Sequence, residues 1–286
     1  MKYVLFALLV FGNAAMVAAD SPFADPDEAA TWRWIFERSG RLEHVERDGA
    51  GRVKWVGFRD EKNERGDYYK GSVDLDAEGR VVKLTCDAPH FTNDDYRRLA
   101  ALKHLRVLTT WHNGWVKESD KSPYSGAGLI RLKALPLESF NVGGSWFNDE
   151  GMVAANDLPQ LKELQVYHTR ISNEGIHALR NNKHLRKLVV GPQYSQRITQ
   201  AALDDIATLE KLEELDFNEV LLTSRGVEAL SALSHQLKAL KLEHVAISPD
   251  DLAKLRLVLP QTKIEYTAAT DEQVRQMQAA EKERSR

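Results

Sequence analysis

Leu161-Lys-Glu-Leu164-Gln-Val166 is followed 24 residues later by Leu185-Arg-Lys-Leu188-Val-Val190, and the same pattern runs down the last two-thirds of this 286-residue chain. Further copies are Leu105-Arg-Val-Leu108-Thr-Thr110, Leu212-Glu-Glu-Leu215-Asp-Phe217 and Leu237-Lys-Ala-Leu240-Lys-Leu242, with a weaker one at Leu137-Glu-Ser-Phe140-Asn-Val142. Their starts are separated by 32, 24, 24, 27 and 25 residues. In each copy the fourth and sixth positions are apolar and two apart, which places both on one face of a short strand. A unit of this length cannot bury such a face alone. It must stack on its neighbours, and the stack becomes a solenoid with a broad open surface.

A second pattern follows each strand. Ile171-Ser-Asn-Glu-Gly-Ile176-His-Ala-Leu179 is its clearest copy. It recurs as Ile198-Thr-Gln-Ala-Ala-Leu203, Leu222-Thr-Ser-Arg-Gly-Val227-Glu-Ala-Leu230, Ile247-Ser-Pro-Asp-Asp-Leu252, Phe147-Asn-Asp-Glu-Gly-Met152 and Phe91-Thr-Asn-Asp-Asp-Tyr96-Arg-Arg-Leu99. Ser, Thr or Asn here is an N-cap, acidic residues suit the first turn, and the apolar residues return at helical spacing. Every unit therefore reads strand–turn–helix, an arrangement that curves into a horseshoe with its strands inside.

The two patterns resemble the ribonuclease-inhibitor-like class of leucine-rich repeat. They also look like the repeats of exported bacterial leucine-rich-repeat proteins, including those abundant in planctomycetes, where a short helix and a β segment precede the array. The resemblance covers most of the chain after its first residues and implies an α/β leucine-rich-repeat solenoid with a small N-terminal α/β cap. It speaks to fold far more than to ligand. At the place of the Asn that commonly follows the strand, this chain has Asn113, Ser145, Thr169, Val220 and Val245, a departure tolerated in that class.

Ahead of the array, residues 1–19 (MKYVLFALLVFGNAAMVAA) have a basic start at Lys2, an apolar run from Tyr3 to Phe11 and small residues before Asp20. This reads as a secretory signal peptide, too short to span a bilayer, and predicts export to a periplasm or beyond the cell without a membrane anchor. Residues 20–80 read as a cap: a helix over 27–38, then two hairpins turning at Asp48–Gly51 and Asp76–Gly79, with a charged loop over 59–67 between them. The array is expected over 81–267 and a charged tail over 268–286.

Composition narrows the partners. The formal net charge is −3 and becomes −4 once Lys2 is removed with the leader, which disfavours nucleic acid and anionic membrane. A single cysteine rules out an internal disulfide. Cys86 ends the first strand unit, Val81-Val-Lys-Leu84-Thr-Cys86, where its side chain enters the core. Asp74-Leu-Asp76-Ala-Glu78-Gly79 imitates the start of a calcium loop, but Thr85 stands where the final Glu is needed. The chain holds no H-E-x-x-H, no G-x-S-x-G and no phosphate-binding glycine loop. His112, His168 and His244 share one place in the repeat, yet a spacing of about 4.8 Å per strand keeps them too far apart to ligate one ion. No catalytic constellation, metal or other cofactor is expected.

The positions just past each strand read Trp111-His112, Gly143-Gly144, Tyr167-His168, Gly191-Pro192, Asn218-Glu219 and Glu243-His244. Two aromatic–histidine ridges flank a glycine floor, which predicts an open groove about 10 Å wide between strands two apart. Trp115, Tyr124, Trp146 and Tyr194 lie on nearby connections as further interface aromatics. Glu214, Asp216, Glu219 and Glu243 make the far half of the concave face acidic, suited to a partner with a basic patch. The candidate ligand-binding residues are Trp111, His112, Asn141, Gly143, Gly144, Tyr167, His168, Asp216, Glu219 and Glu243. Three functions remain open from the residues: a non-enzymatic protein or peptide binder, a carbohydrate or cell-wall binder stacking rings on Trp111, Trp146 and Tyr167, and a structural envelope component.

Overall fold

A computed structural model describes residues 25–39, 41–59, 71–89, 91–114, 124–180, 182–191 and 197–284. The expected signal peptide, most of the charged 59–67 loop, Trp115 and Tyr194 lie outside them. Over the described residues the chain folds as a leucine-rich-repeat solenoid built on one 12-stranded sheet. Helix α1, Pro26–Ser39, opens it, followed by β1 (Arg41–Arg47), β2 (Val53–Arg59), β3 (Gly71–Leu75) and β4 (Val81–Asp87). These four strands form an antiparallel meander. From β4 onward the pairing is parallel, through β5 (Val107–Trp111), β6 (Ser139–Gly143), β7 (Glu163–Tyr167), β8 (Lys187–Val190), β9 (Glu214–Phe217), β11 (Ala239–Ile247) and β12 (Lys263–Ala268). A two-residue strand, β10 (Leu221–Leu222), pairs β11 beyond its bend.

Both hairpin turns use one device. In each, an Asp carboxylate accepts backbone N–H groups two and four residues on, from Ala50 and Arg52 to Asp48 and from Glu78 and Arg80 to Asp76. The Arg closing each turn then donates Nε to the same carboxylate at 2.7 Å. Asp76 is thus fully engaged within its own turn, which accounts for the false calcium signature.

The repeat core is apolar along its central line. Leu84, Leu108, Phe140, Leu164, Leu188, Leu215 and Leu240 occupy one register line and are at most 1% exposed. Cys86 falls on the next line inward, where burial pushes its thiol up to about 12, leaving almost no thiolate at neutral pH. The helical half of each repeat is short because so few residues remain after the strand. The helices Asp149–Asn156, Asn173–His177 and Pro249–Val258 start where Asn148, Ser172 and Ser248 accept from backbone N–H groups, as the second pattern predicts. Thr199 caps a 3₁₀ turn in the same way. Thr223, ahead of helix Ser224–Ser231, departs from this. Its hydroxyl donates sideways to Gln200 Oε1 of the preceding repeat, so it ties repeats together instead of capping.

The meander joins the array through Glu28. This carboxylate on α1 is 1% exposed and accepts the Val81 N–H at 3.1 Å, at the start of β4. Burial is the main cause that raises its pKa above the ordinary 4.5; the Val81 hydrogen bond and His104 oppose it, while Asp25 and Asp76 add to it. A folded pKa above the unfolded one means that the fold favours the neutral carboxyl, so this contribution is complete below the unfolded pKa and is lost as pH rises through the folded value. Glu28→Gln cannot ionise. The urea-derived stability difference, variant minus wild type, is therefore expected to grow in the variant's favour from about pH 4 to about pH 7. A difference constant across that window would contradict the assignment.

Candidate functional site

The side chains that point away from the helices form three rows across the open face. Register places Lys83, Val107, Ser139, Glu163, Lys187, Glu214, Ala239 and Lys263 in the first row. Thr85, Thr109, Asn141, Gln165, Val189, Asp216, Lys241 and Glu265 make the second. Asp87, Trp111, Gly143 and Tyr167 begin the third. The middle row is uncharged from Thr85 to Val189 and charged thereafter. Two different surfaces therefore share one sheet.

The half whose middle row is uncharged centres on Trp111 and Tyr167, with Lys83, Glu163 and Asp87 in the flanking rows. Trp111 Nε1 donates to the Tyr167 hydroxyl at 3.0 Å, across the intervening strand that carries Gly143. A Cβ added at Gly143 would stand 2.3 Å from Tyr167 Cζ, so the phenol ring lies directly on the glycine. The open groove expected over the glycine floor is not present. Removing a side chain at Gly143 made room that the neighbouring ring fills, and the two ridges meet as one half-buried aromatic platform. Beside it, Asn141 Nδ2 donates to Gln165 Oε1 at 3.3 Å, and Thr109 and Thr85 continue the row of uncharged hydrogen-bonding groups.

The shared histidine position has a backbone explanation. His112, His168, Glu219 and His244 all have φ between 49° and 56°, and Gly144 occupies the same place at 59°; Gly191, one position earlier in its repeat, has φ 90°. This is the left-handed residue that turns the chain off the strand, where glycine is unstrained and other residues are uncommon. His112 uses the position to reach back one strand, placing Nδ1 2.9 Å from Asp87 Oδ1. His168 stands edge-on to the Tyr167 ring, with centroids 5.9 Å apart. The His244 N–H donates to Thr267 Oγ1. Among the described residues, no three His, Cys, Asp or Glu side chains gather as metal ligands do.

The acidic half is less acidic than its Glu and Asp residues suggest. Lys187 Nζ lies 2.8 Å from Glu214, and Lys241 Nζ lies 2.9 Å from Glu243. Asp216 sits in the row between these pairs. Burial raises its pKa, Lys241 and Lys187 oppose the rise, and Glu243 and Glu214 support it. Glu243 and Glu219 also serve the backbone: the Glu243 N–H donates to Asn218 Oδ1, and its carbonyl accepts the Glu219 N–H. The lysines are legible in the sequence at alternate strand positions, and counting them corrects the expected acidic field to a mixed-charge surface.

The connecting aromatics divide. Tyr124 is 2% exposed, its hydroxyl 2.9 Å from that of Tyr96 in a buried pair, so the expectation that it anchors a partner fails. Trp146 is half-buried with the Arg170 guanidinium 3.5 Å over its ring, which occupies the face a sugar would need. Sequence reasoning also missed Asp87, Thr85, Thr109 and Gln165. Their signal was available as alternation within each strand unit, outward against inward.

No family model matches the sequence, and no curated protein matches it either. Among solved structures, an internalin of Listeria monocytogenes is similar at 21% identity over 61% of this chain and 44% of that one, with a TM-score of 0.42. A leucine-rich-repeat protein of Leptospira interrogans is similar at 20% identity over 59% of this chain and 45% of its own length, with a TM-score of 0.39. A Bacteroides fragilis protein follows at 15% identity, 66% of each chain and a TM-score of 0.39. The chain thus spans less than half the length of the first two.

Proposed function

We propose that this chain is an exported, non-enzymatic binding protein that takes an extended protein or peptide segment on the half of its open face whose middle row is uncharged. The observation carrying the reading is the platform of Trp111 and Tyr167, locked to each other and seated on Gly143, next to a row of neutral hydroxyl and amide groups. Rigid aromatics with few flexible charges beside them make strong anchors at low entropic cost. Neutral donors and acceptors one strand apart suit the repeating amides of an extended chain. His112, held by Asp87, borders the platform and is exposed to the ligand's side. The mixed-charge half from Lys187 to Glu265 would steer orientation more than affinity.

A glycan is the second reading, favoured by the same platform, because aromatic rings beside neutral amides and hydroxyls also suit a sugar. A displayed peptide library and a glycan array, each probed with wild type, Trp111→Ala and Tyr167→Ala, separate the two. Peptide capture is expected to weaken by roughly tenfold or more in both variants, as for truncation of an interface anchor. Capture on glycans alone would replace the peptide reading with the sugar reading. Unchanged binding in both variants would remove the platform as the site.

A further inference from the structure

The sheet ends differently at its two edges. β1 leaves its pairing with β2 twice, with register shifts between Leu42 and His44 and between Glu46 and Arg47. Such bulges twist an edge away from further strands. β12 has no such protection over its first half. It follows β11 in unbroken register through Ala239↔Lys263, Leu240↔Ile264, Lys241↔Glu265 and Leu242↔Tyr266, and among the described residues no strand lies beyond it. The core positions of β9 and β11 are at most 1% exposed, whereas Ile264 and Tyr266, on the same lines, are only half-buried. The helix after β12, Asp271–Arg284, packs with β10 and buries Met277.

We propose that β12 pairs antiparallel with β12 of a second copy, closing a two-fold dimer in which the two sheets become continuous. The strand's own residues select the register. The Lys263 N–H bonds inward to the Lys238 carbonyl, so alternation turns the N–H and C=O of Ile264 and Tyr266 outward. A two-fold axis at Ile264 lets those groups meet reciprocally: Ile264 bonds its own copy, and the Tyr266 N–H reaches the partner's Thr262 carbonyl. It also sets Lys263 opposite Glu265 of the second copy, twice, while Ile264 and Tyr266 extend the apolar core line across the junction. Centring on Glu265 would instead oppose two carboxylates. A shift by one residue would set apolar residues against charged ones. An isologous contact of this kind closes on itself, whereas pairing β12 with the bulged β1 would propagate into a filament. The proposal does not depend on what the open face binds.

The test uses the full chain after the leader. Sedimentation from micromolar to submillimolar concentration is expected to show a reversible dimer. Lys263→Glu or Glu265→Lys alone turns both cross-strand attractions into repulsions and is expected to raise the dimer dissociation constant about tenfold. Combining the two swaps restores complementarity and the wild-type constant. Ile264→Cys should oxidise to an intermolecular disulfide, because residues opposed in a bonded antiparallel pair lie about 5.5 Å apart. Thr267→Cys should not, since its two copies would be about 20 Å apart. Circular dichroism confirms that each variant folds. A monomer at every concentration, a dimer indifferent to the charge swaps, or equal cross-linking at both positions would each overturn the proposal.

Discussion

Phe140→Ala is expected to cost about 3–5 kcal/mol, the range for truncating a fully buried aromatic. Phe140 is 0% exposed, between Leu108 and Leu164 in register, and its ring meets Phe147 with centroids 5.8 Å apart. In a solenoid the position matters as much as the burial. Each repeat contacts only its neighbours, so a cavity at β6 weakens the junction between the meander half and the rest of the array. The expected result in a thermal scan is a loss of roughly 6–20 °C, together with broadening or splitting of the transition. Leu257→Ala is the control, because Leu257 is 78% exposed and should change stability by less than about 0.5 kcal/mol. A Phe140→Ala protein that melts within about 2 °C of wild type would mean that this strand is not part of the core.

Phe140 belongs to the weakest of the six copies of the strand pattern, and even so the sequence placed it correctly. Apolar alternation is dictated by what a buried strand face requires, and it survives exchange of Leu for Phe. The N-caps were legible for a similar reason, since Ser172 and Asn148 meet a local backbone need. The left-handed column was half visible: Gly144 shares a place with His112 and His168, and glycine there points to a positive φ. Treating those histidines as ligand-facing side chains overlooked that backbone reason. The closed platform was not legible at all. Whether a tyrosine stands up beside a glycine or lies across it is a rotamer choice settled by three strands together, and no spacing records it.

Gly143→Val tests that closed arrangement at its hinge. Gly143 is an ordinary strand position with no positive φ, so a β-branched residue suits its backbone. The new Cβ, however, would stand 2.3–2.6 Å from three atoms at the far end of the Tyr167 side chain. The ring must swing away, and Trp111 Nε1 then loses its acceptor. Because a free ring end yields more readily than backbone, the stability change should stay near the lower end of the 1–3 kcal/mol typical of overpacking. Ligand binding should fall by a factor on the order of 10–100, comparable with truncating a central anchor. Near-ultraviolet circular dichroism reads the Trp–Tyr contact directly, and a binding isotherm on the captured peptide reads its consequence. If the aromatic signal changes while binding holds, the ligand does not need the platform's geometry. If Gly143→Val and Tyr167→Ala weaken binding equally, and the double variant does no worse, the glycine acts only through the ring it supports.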